Sequence, residues 1–265
     1  MKKIVSILAT VALATGLLVS CSQKKNSNVL KVGATPQPHA EMLNLIKGDL
    51  EAAGYKLEVI EFTDYVTPNE ALENNEIDAN FFQHLPYMDS FNKERGFHLV
   101  SAAGIHIEPI ALYSKKVTAL AELKDGATIA IPNDPTNEGR ALLLQSAGLI
   151  KLDDKAGLEG TPINIVENKK NFKFSEIEAA SLPRVLTDVD AAVINGNYAI
   201  PAGLSATKDG LVVEGSDSPY VNIITVKEGK ENDAAIKALS NALRSEKVKN
   251  WIKDSFPNGE VVAAF

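Results

Sequence analysis

The chain has 265 residues and a formal net charge of −7, with 45% hydrophobic and 23% charged residues. These values are typical of a folded globular protein and exclude disorder, collagen and coiled coil. The acidic balance argues against a nucleic-acid partner, because such binders present a basic surface to phosphates. A single cysteine excludes a disulfide framework and any cysteine-rich metal site. The length fits one large domain or two smaller domains that share a cleft.

The N-terminus has the pattern of a secretory signal peptide. Two lysines precede an apolar stretch that reaches Val19 without any acidic residue. The stretch is too short to favour an uncleaved transmembrane helix, and a polar tract follows it. Residues 18–21, Leu-Val-Ser-Cys, resemble the bacterial lipobox, which disfavours a cysteine buried in the core. We therefore predict a lipoprotein signal peptide over residues 1–20, then a lipidated Cys21 and a flexible tether over residues 21–28 that hold the protein at a membrane.

From Val29 onward, short apolar runs alternate with amphipathic stretches, which predicts an α/β fold with a mostly parallel sheet. The predicted strands are Val29–Gly33, Leu57–Phe62, Ala79–Phe82, His98–Ala102, Ile107–Ser114, Thr128–Pro132, Ile163–Val166, Ala191–Ile194 and Val221–Val226. Apolar residues recur at helical spacing after most of these runs. One or two closing helices are predicted over residues 231–256.

No catalytic motif is evident in the sequence. The nucleophile elbow, the zinc-peptidase motif and the glycine-rich nucleotide motifs are missing. The histidines lie in separate predicted elements without the i, i+4 spacing of a helical metal pair, so we predict neither a metal nor a cofactor. They are His39, His84, His98 and His106. Since no nucleophile pairs with a base, we predict that the protein is not an enzyme.

The segment 128–140, TIAIPNDPTNEGR, predicts a corner that binds an anion. An apolar strand ends at Pro132, a polar turn follows, and a helix is expected to begin near Glu138. The free N–H groups of a helix start and the planar guanidinium of Arg140, in the first turn, both suit a carboxylate. A cation opposes the helix dipole there, so a surface arginine paired with a neighbour is the alternative.

Two further segments follow predicted strands, where α/β proteins present their ligands. Residues 79–87, ANFFQHLPY, could form an aromatic pocket for an apolar or sulfur-containing group, with core packing as the alternative. Phe81 and Phe82 are adjacent and face opposite sides of the strand, so at most one of them faces a cleft. Residues 191–198, AAVINGNY, bring amides to a strand end or form an ordinary turn.

Together, these segments resemble the NlpA/MetQ family of methionine-binding lipoproteins that serve ABC importers. The resemblance covers essentially the whole chain after the tether. Its strings are VGATPQPHAEML at 32–43, DYVTPNEAL at 64–72, DANFFQHLPYM at 78–88, IAIPNDPTNEGRALLL at 129–144, GLIKL at 148–152, ASLPRVLTDVDAAVINGNYA at 180–199 and SPYVNII at 218–224.

The resemblance implies a type II periplasmic-binding-protein fold, with two α/β lobes joined by two crossover strands and the ligand in the cleft between them. Candidates for the crossings are the run 107–114, which contains Pro109, and the run 221–226. Lobe I would comprise residues 29–109 plus 222–265, and lobe II residues 110–221.

The resemblance also implies the residues that contact the ligand. Arg140 would bind a carboxylate with Asn137 beside it, and Asn195 and Asn222 would bind the amino and carboxylate groups. The side chains expected around the thioether are those of Tyr65, Phe82, His84 and Tyr87. Pro36 and His39 are expected to shape the cleft rim. A structural or peripheral role is expected for Phe81, Asn197, Tyr198 and Tyr220.

We therefore predict a non-enzymatic, lipid-anchored receptor of the bacterial cell envelope that faces the periplasm or the cell exterior. It would capture methionine or a close analogue as a monomer and deliver it to an ABC permease with its ATPase subunit. D-methionine, a methionine-containing dipeptide or another apolar amino acid are alternative ligands. Two alternatives are less favoured. One is a lipid-anchored hydrolase, for which Ser218 and His84 are the only conceivable nucleophile–base pair, and the other is an adhesin.

Overall fold

The computed structural model describes residues 28–215 and 218–265. The predicted signal peptide, the lipidation of Cys21 and all but the last residue of the predicted tether lie outside the described residues. Within the described part of the chain, none of the helices combines the length and apolar character that a membrane crossing requires.

Strands and helices alternate along most of the described chain. The strands are β1 Val29–Ala34, β2 Lys56–Glu61, β3 Ala79–His84, β4 Leu99–Ile107, β5 Ala111–Tyr113, β6 Thr128–Pro132, β7 Ile150–Leu152, β8 Ile165–Asn168, β9 Lys173–Ile177, β10 Ala191–Ile194, β11 Val212–Val213, β12 Val221–Lys227 and β13 Val262–Ala263. The α-helices are α1 Glu41–Leu45, α2 Lys47–Ala52, α3 Thr67–Glu73, α4 Leu85–Arg95, α5 Pro135–Ala141, α6 Leu182–Val185, α7 Gly196–Ala199, α8 Ala206–Asp209, α9 Ala234–Leu243 and α10 Glu246–Ser255.

Two mixed sheets form the scaffold, in the strand orders β13-β4-β12-β3-β1-β2 and β11-β5-β10-β6-β9, and β7 pairs with β8 in a small third sheet. In the first sheet β1 runs parallel to β2 and β3, and in the second β6 runs parallel to β9 and β10. However, β5 and β12 run antiparallel to their neighbours. Each enters its sheet from the other sheet rather than through a βαβ crossover, which is the connection that makes strands parallel. The prediction of a mostly parallel sheet is therefore wrong.

The chain passes between the two large sheets twice. Residues 108–110 connect β4 to β5, so the predicted strand Ile107–Ser114 is interrupted where Pro109 has no N–H to donate. The return connection begins at Glu214, after β11, and ends at Tyr220. The run Val221–Val226 belongs to β12 within the first sheet rather than to the crossing itself. The predicted division into lobes at residues 109/110 and 221/222 stays a prediction.

Each large sheet packs its own hydrophobic core. In the first, strand residues such as Val32 pack with the buried faces of α9 and α10. Those faces contain Leu239 and Ile252, which are buried as the helical periodicity predicts. In the second, Ile129 and Ala130 of β6 point into separate clusters on opposite faces, because successive strand side chains alternate. Burial of each such large apolar side chain contributes about 1.5–3 kcal/mol, and the paired cores hold the strand ends in fixed positions.

Candidate functional site

A cavity lies where strand ends of the two large sheets face each other. All eight residues that the sequence predicts as ligand contacts line it. The lining consists of Tyr65, Phe82, Gln83, His84, Tyr87, Glu108, Asn137, Arg140, Asn195, Gly196, Asn197 and Asn222. The structure thus brings together side chains from separate segments, while their contact with a ligand stays a prediction.

Helix α5 begins earlier than predicted. Asp134 is its N-cap and Pro135 its first residue, and the Asp134 carboxylate accepts hydrogen bonds from the backbone N and from Nδ2 of Asn137. The predicted start near Glu138 is wrong because the Asp-Pro pair is itself the helix-start signal. Arg140 consequently lies in the last turn, where a cation complements the helix dipole instead of opposing it.

The guanidinium of Arg140 is buried and paired. Its Nε donates to both carboxylate oxygens of Glu214, at 2.9 and 3.1 Å. Its Nη2 donates to Glu214 Oε2 and to the carbonyl oxygen of Glu108, both at 2.5 Å. The ring centroid of Tyr220 lies 4.6 Å from the guanidinium carbon. The surface-arginine alternative is wrong as to burial, since Arg140 is only 6% exposed, although the arginine does have a paired neighbour.

His84 and Asn195 hold the side chain of Asn137 from two directions. Asn137 Oδ1 accepts from His84 Nε2 at 3.1 Å and from Asn195 Nδ2 at 2.7 Å. His84 Nδ1 accepts the backbone N–H of Tyr87, so the ring proton resides on Nε2. Burial, and then the charge of Arg140, lower the pKa of His84 to about 3, so the ring is neutral. These bonds connect the end of β3 with α5 across the cavity.

Two side-chain amide atoms at the cavity have no hydrogen-bond partner among the described residues. They are Oδ1 of Asn195 and Nδ2 of Asn197, both buried. The Asn197 side chain is fixed at its other end, because its Oδ1 accepts the Tyr65 hydroxyl at 2.6 Å. Buried polar groups usually find hydrogen-bond partners, so Asn195 Oδ1 is free to accept and Asn197 Nδ2 to donate a further hydrogen bond. Sequence reasoning placed Asn197 at the periphery, although it stands two residues after Asn195 in the same NGN string.

Three aromatic rings form one wall of the cavity. The ring centroids of Tyr65, Phe82 and Tyr87 are 5.9 to 6.1 Å apart. The Tyr87 hydroxyl donates to the carbonyl oxygen of Tyr65, and burial raises the pKa of both phenols. Phe81 points to the opposite side of β3, where its ring lies 4.6 Å from that of His39. The expectation that only one of the adjacent phenylalanines faces the cavity is confirmed.

Glu108 contributes a buried carboxylate that sequence reasoning missed. His106 Nε2 donates to its Oε1 at 2.7 Å, and His39 Nε2 lies 3.4 Å from the same oxygen. Burial raises the pKa of Glu108, whereas it lowers the pKa of His39 to about 4 and of His106 to about 3. The signal for this pair was present, because residues 106 and 108 share one face of an extended chain.

The expectation that His39 shapes the rim of the cleft is wrong. This residue is 1% exposed and lies behind Asn222, whose Oδ1 accepts from His39 Nε2 at 3.1 Å. The hydroxyl of Thr35 lies 2.8 Å from His39 Nδ1. The expectation fails because the segment 36–40 runs inward after β1 and buries Pro38, His39 and Ala40.

The buried histidines also bear on metal binding. Three potential ligand atoms, one from each of His39, His106 and Glu108, lie within 4.8 Å of one another, and such a group could hold a metal ion. The sequence placed these histidines in separate elements, and the structure brings two of them together. Hydrogen bonds to Asn222 and Glu108 already use both Nε2 atoms, so hydrogen bonding accounts for the grouping.

Over residues 30–265 the sequence matches the family model of NlpA lipoproteins. The chain belongs to the NlpA lipoprotein family. The D-methionine-binding lipoprotein MetQ of Escherichia coli is 45% identical over 251 residues, which cover 92% of each protein. The membrane lipoprotein TpN32 of Treponema pallidum is 45% identical over 255 residues, 96% of this chain and 94% of that protein.

Solved structures agree with this assignment. A nutrient binding protein from Burkholderia cenocepacia, solved with bound methionine, matches with a TM-score of 0.86 and 48% identity. The match covers 89% of the NlpA lipoprotein described here and all of that chain. The family predicted from the motifs is therefore confirmed, as is its two-lobed α/β fold.

Proposed function

We propose that this NlpA lipoprotein is a receptor that binds methionine or a close analogue in the cavity and delivers it to an ABC importer. The observation that carries the proposal is a buried cavity lined by a guanidinium, a carboxylate and three aromatic rings. An α-amino acid with an apolar side chain offers the complementary groups. Relatives named as D-methionine-binding and a neighbour solved with methionine support this ligand class.

The ligand carboxylate would bind at Arg140. In Arg140, Nε and Nη2 donate hydrogen bonds to the Glu214 carboxylate and the Glu108 carbonyl oxygen, and Nη1 has no acceptor among the residues described. A charge-assisted hydrogen bond from Nη1 to a carboxylate would complete the guanidinium. The unpartnered Nδ2 of Asn197 is a second donor at the cavity. Asn222 can also donate from its amide nitrogen, because His39 occupies its Oδ1.

The ligand ammonium would bind at Glu108 and Asn195. Glu108 carries the only carboxylate among the described residues that line the cavity. Asn195 presents a buried Oδ1 without a partner in the described structure. An ammonium group provides three donors, so it can satisfy both acceptors and stabilise the ionised form of Glu108.

The apolar side chain would lie against Tyr65, Phe82 and Tyr87. Thioethers pack well against aromatic ring edges, which favours methionine over a branched aliphatic side chain. D-methionine, a methionine-containing dipeptide and other apolar amino acids remain alternatives for the same wall. The cavity does not support the hydrolase alternative. Ser218 is not among the cavity's lining residues, and the Nε2–H group of His84 is hydrogen-bonded to Asn137 Oδ1.

The rest of the proposal follows from the family and from the N-terminal motif. The protein would be monomeric, anchored through lipid on Cys21, and would face the periplasm or the cell exterior. Ligand binding would stabilise the arrangement in which both sheets contact the same molecule, and the permease with its ATPase subunit would recognise that arrangement. We propose no catalytic step.

Mass spectrometry of the purified protein under non-denaturing conditions tests the proposal. The expected result is a complex whose extra mass matches one amino acid and is exchanged on addition of excess methionine. A protein that retains nothing and gains no mass with either methionine enantiomer, a methionine dipeptide or another apolar amino acid would contradict a receptor role.

A further inference from the structure

We propose that Glu214 is a positioning residue that aligns Arg140 for the ligand carboxylate and ties this contact to both connections between the sheets. The inference rests on the proposed function. Glu214 was not a candidate from the sequence. Glu214 does not line the cavity, so its effect on binding must pass through Arg140.

The ion pair has the geometry of a bidentate clamp. Both carboxylate oxygens of Glu214 accept from Arg140, at distances between 2.5 and 3.1 Å. The two side chains are 3% and 13% exposed, so water competes weakly for these bonds. A planar guanidinium held at Nε and Nη2 has a fixed orientation, which directs the third nitrogen, Nη1.

The same clamp joins the two connections between the sheets. Glu214 begins the return connection, and its Oε2 accepts the backbone N–H of Ile110 in the first connection at 3.3 Å. The backbone N–H of Glu214 donates to the carbonyl oxygen of Ile110 at 3.0 Å. Arg140 adds its bond to the carbonyl oxygen of Glu108, also in the first connection. A relative motion of the two sheets would therefore change the contacts that orient Arg140.

Glu214 does not compete with the ligand for Arg140. It engages Nε and Nη2, whereas the ligand carboxylate is assigned to Nη1. The two carboxylates can therefore bind the guanidinium together. A competitor would weaken ligand binding, so its removal would raise affinity, whereas removal of a positioning residue lowers it. The sign of the effect distinguishes the two roles.

The test measures methionine affinity of the full mature chain by calorimetry for the wild type, Glu214→Gln, Arg140→Lys and the double variant. Glu214→Gln keeps the size and one acceptor oxygen but removes the charge. We expect it to weaken methionine binding about 10- to 100-fold. Because Glu214 acts through Arg140, the loss should largely disappear in the Arg140→Lys background. The exposed carboxylate of Glu228 gives the matched control, Glu228→Gln, which should bind like the wild type.

Methioninamide, which lacks the carboxylate, separates positioning from a general structural role. We expect it to bind the wild type and Glu214→Gln with similar affinity. Equal losses for methionine and methioninamide, additive losses in the double variant, or tighter binding by Glu214→Gln would each overturn the proposal. If Glu214→Gln does not fold, Glu214→Asp keeps the charge and shortens the reach, and wild-type affinity in that variant would overturn it. A wild type that binds none of these ligands contradicts the proposed function itself and, with it, this inference.

Discussion

The hydroxyl of Tyr65 donates to Asn197 Oδ1 at 2.6 Å, and this bond joins the aromatic wall of the cavity to its polar side. Tyr65 follows β2 of the first sheet, and Asn197 lies in α7 after β10 of the second. The bond fixes the Asn197 amide so that its Nδ2 remains at the cavity without a partner in the described part of the chain. One hydrogen bond therefore links a residue that follows β2 of the first sheet to a residue that follows β10 of the second, and it orients a proposed ligand donor.

Tyr65→Phe should weaken methionine binding about 5- to 10-fold, the equivalent of one hydrogen bond. The ring and its packing remain, but Asn197 Oδ1 loses its donor and the amide is free to rotate. Titration calorimetry measures the change. Tyr55→Phe is the matched control, because Tyr55 lies away from the cavity lining. Equal affinity for Tyr65→Phe and the wild type would show that the bond does not orient the site.

Phe82→Ala should cost about 1–3 kcal/mol of methionine binding, since it removes part of an apolar wall and leaves the charged groups in place. Discrimination between methionine and norleucine should also relax, because the ring edge that favours the thioether is lost. Affinities for both ligands, measured on Phe82→Ala and on the wild type, test this. An undiminished preference for methionine would place the thioether elsewhere. Phe256→Ala, which lies outside the cavity lining and packs against the core of the first sheet, is the control for loss of a ring.

Glu138→Gln should stabilise the fold above neutral pH. Burial, and then the carboxylates of Glu176 and Asp134, raise the pKa of Glu138 to about 7, and its Oε1 is buried without a partner among the described residues. Because the folded-state pKa lies above the unfolded value, ionisation destabilises the fold as pH rises through 7, and the penalty is absent below the unfolded pKa.

The expected gain for Glu138→Gln is on the order of 1–2 kcal/mol at pH 8, allowing for solvent screening, and close to zero at pH 4. Urea unfolding at both pH values measures it. The exposed Glu51 provides the control variant, Glu51→Gln, which should show no such pH-dependent gain. A variant that is less stable than the wild type at pH 8 would mean that the Glu138 carboxylate is favourably paired in solution.

Cys21→Ala should yield protein that is unprocessed or not anchored. Cys21 is the only cysteine in the sequence, and it directly follows the lipobox-like residues Leu18, Val19 and Ser20. A chain that starts near Asn28 should remain folded, because the first strand begins at Val29. Membrane fractionation and intact mass measure the outcome. Release of the wild-type protein from membranes by high salt alone would argue against covalent anchoring, since two or three acyl chains resist salt.

The cavity residues in the strings 79–87, 128–140 and 191–198 were predictable from sequence because each string leads out of a predicted strand, whereas Tyr65 and Asn222 came only from the family resemblance and Glu108 was missed. Local chain geometry places the polar groups of residues 79–87 and 191–198 at strand ends, and the facing of the two sheets brings them to one cavity. Glu214 was not predictable in this way. It lies 74 residues from Arg140, directly after β11, and only the packed fold brings the two together.

The strands that sequence reasoning missed are short or polar. β9, with the sequence KFSEI, has no clear apolar alternation, and β11 has only two residues. Both are edge strands of the second sheet, where pairing with a formed neighbour supplies the stabilisation. The start of α5 differs from its expected position for another reason, because the Asp134-Pro135 cap begins the helix before the apolar periodicity does.

The proposed contact that holds methionine in the cavity is that of its carboxylate with Arg140. Calorimetric titration of methionine into the wild type and Arg140→Ala tests it most directly. We expect a single ligand per wild-type chain and a loss of about 3–5 kcal/mol, a hundredfold or more in affinity, for the variant, because the anion is left desolvated without its partner. Near-wild-type affinity in a folded Arg140→Ala protein, or no binding of either methionine enantiomer by the wild type, would contradict it.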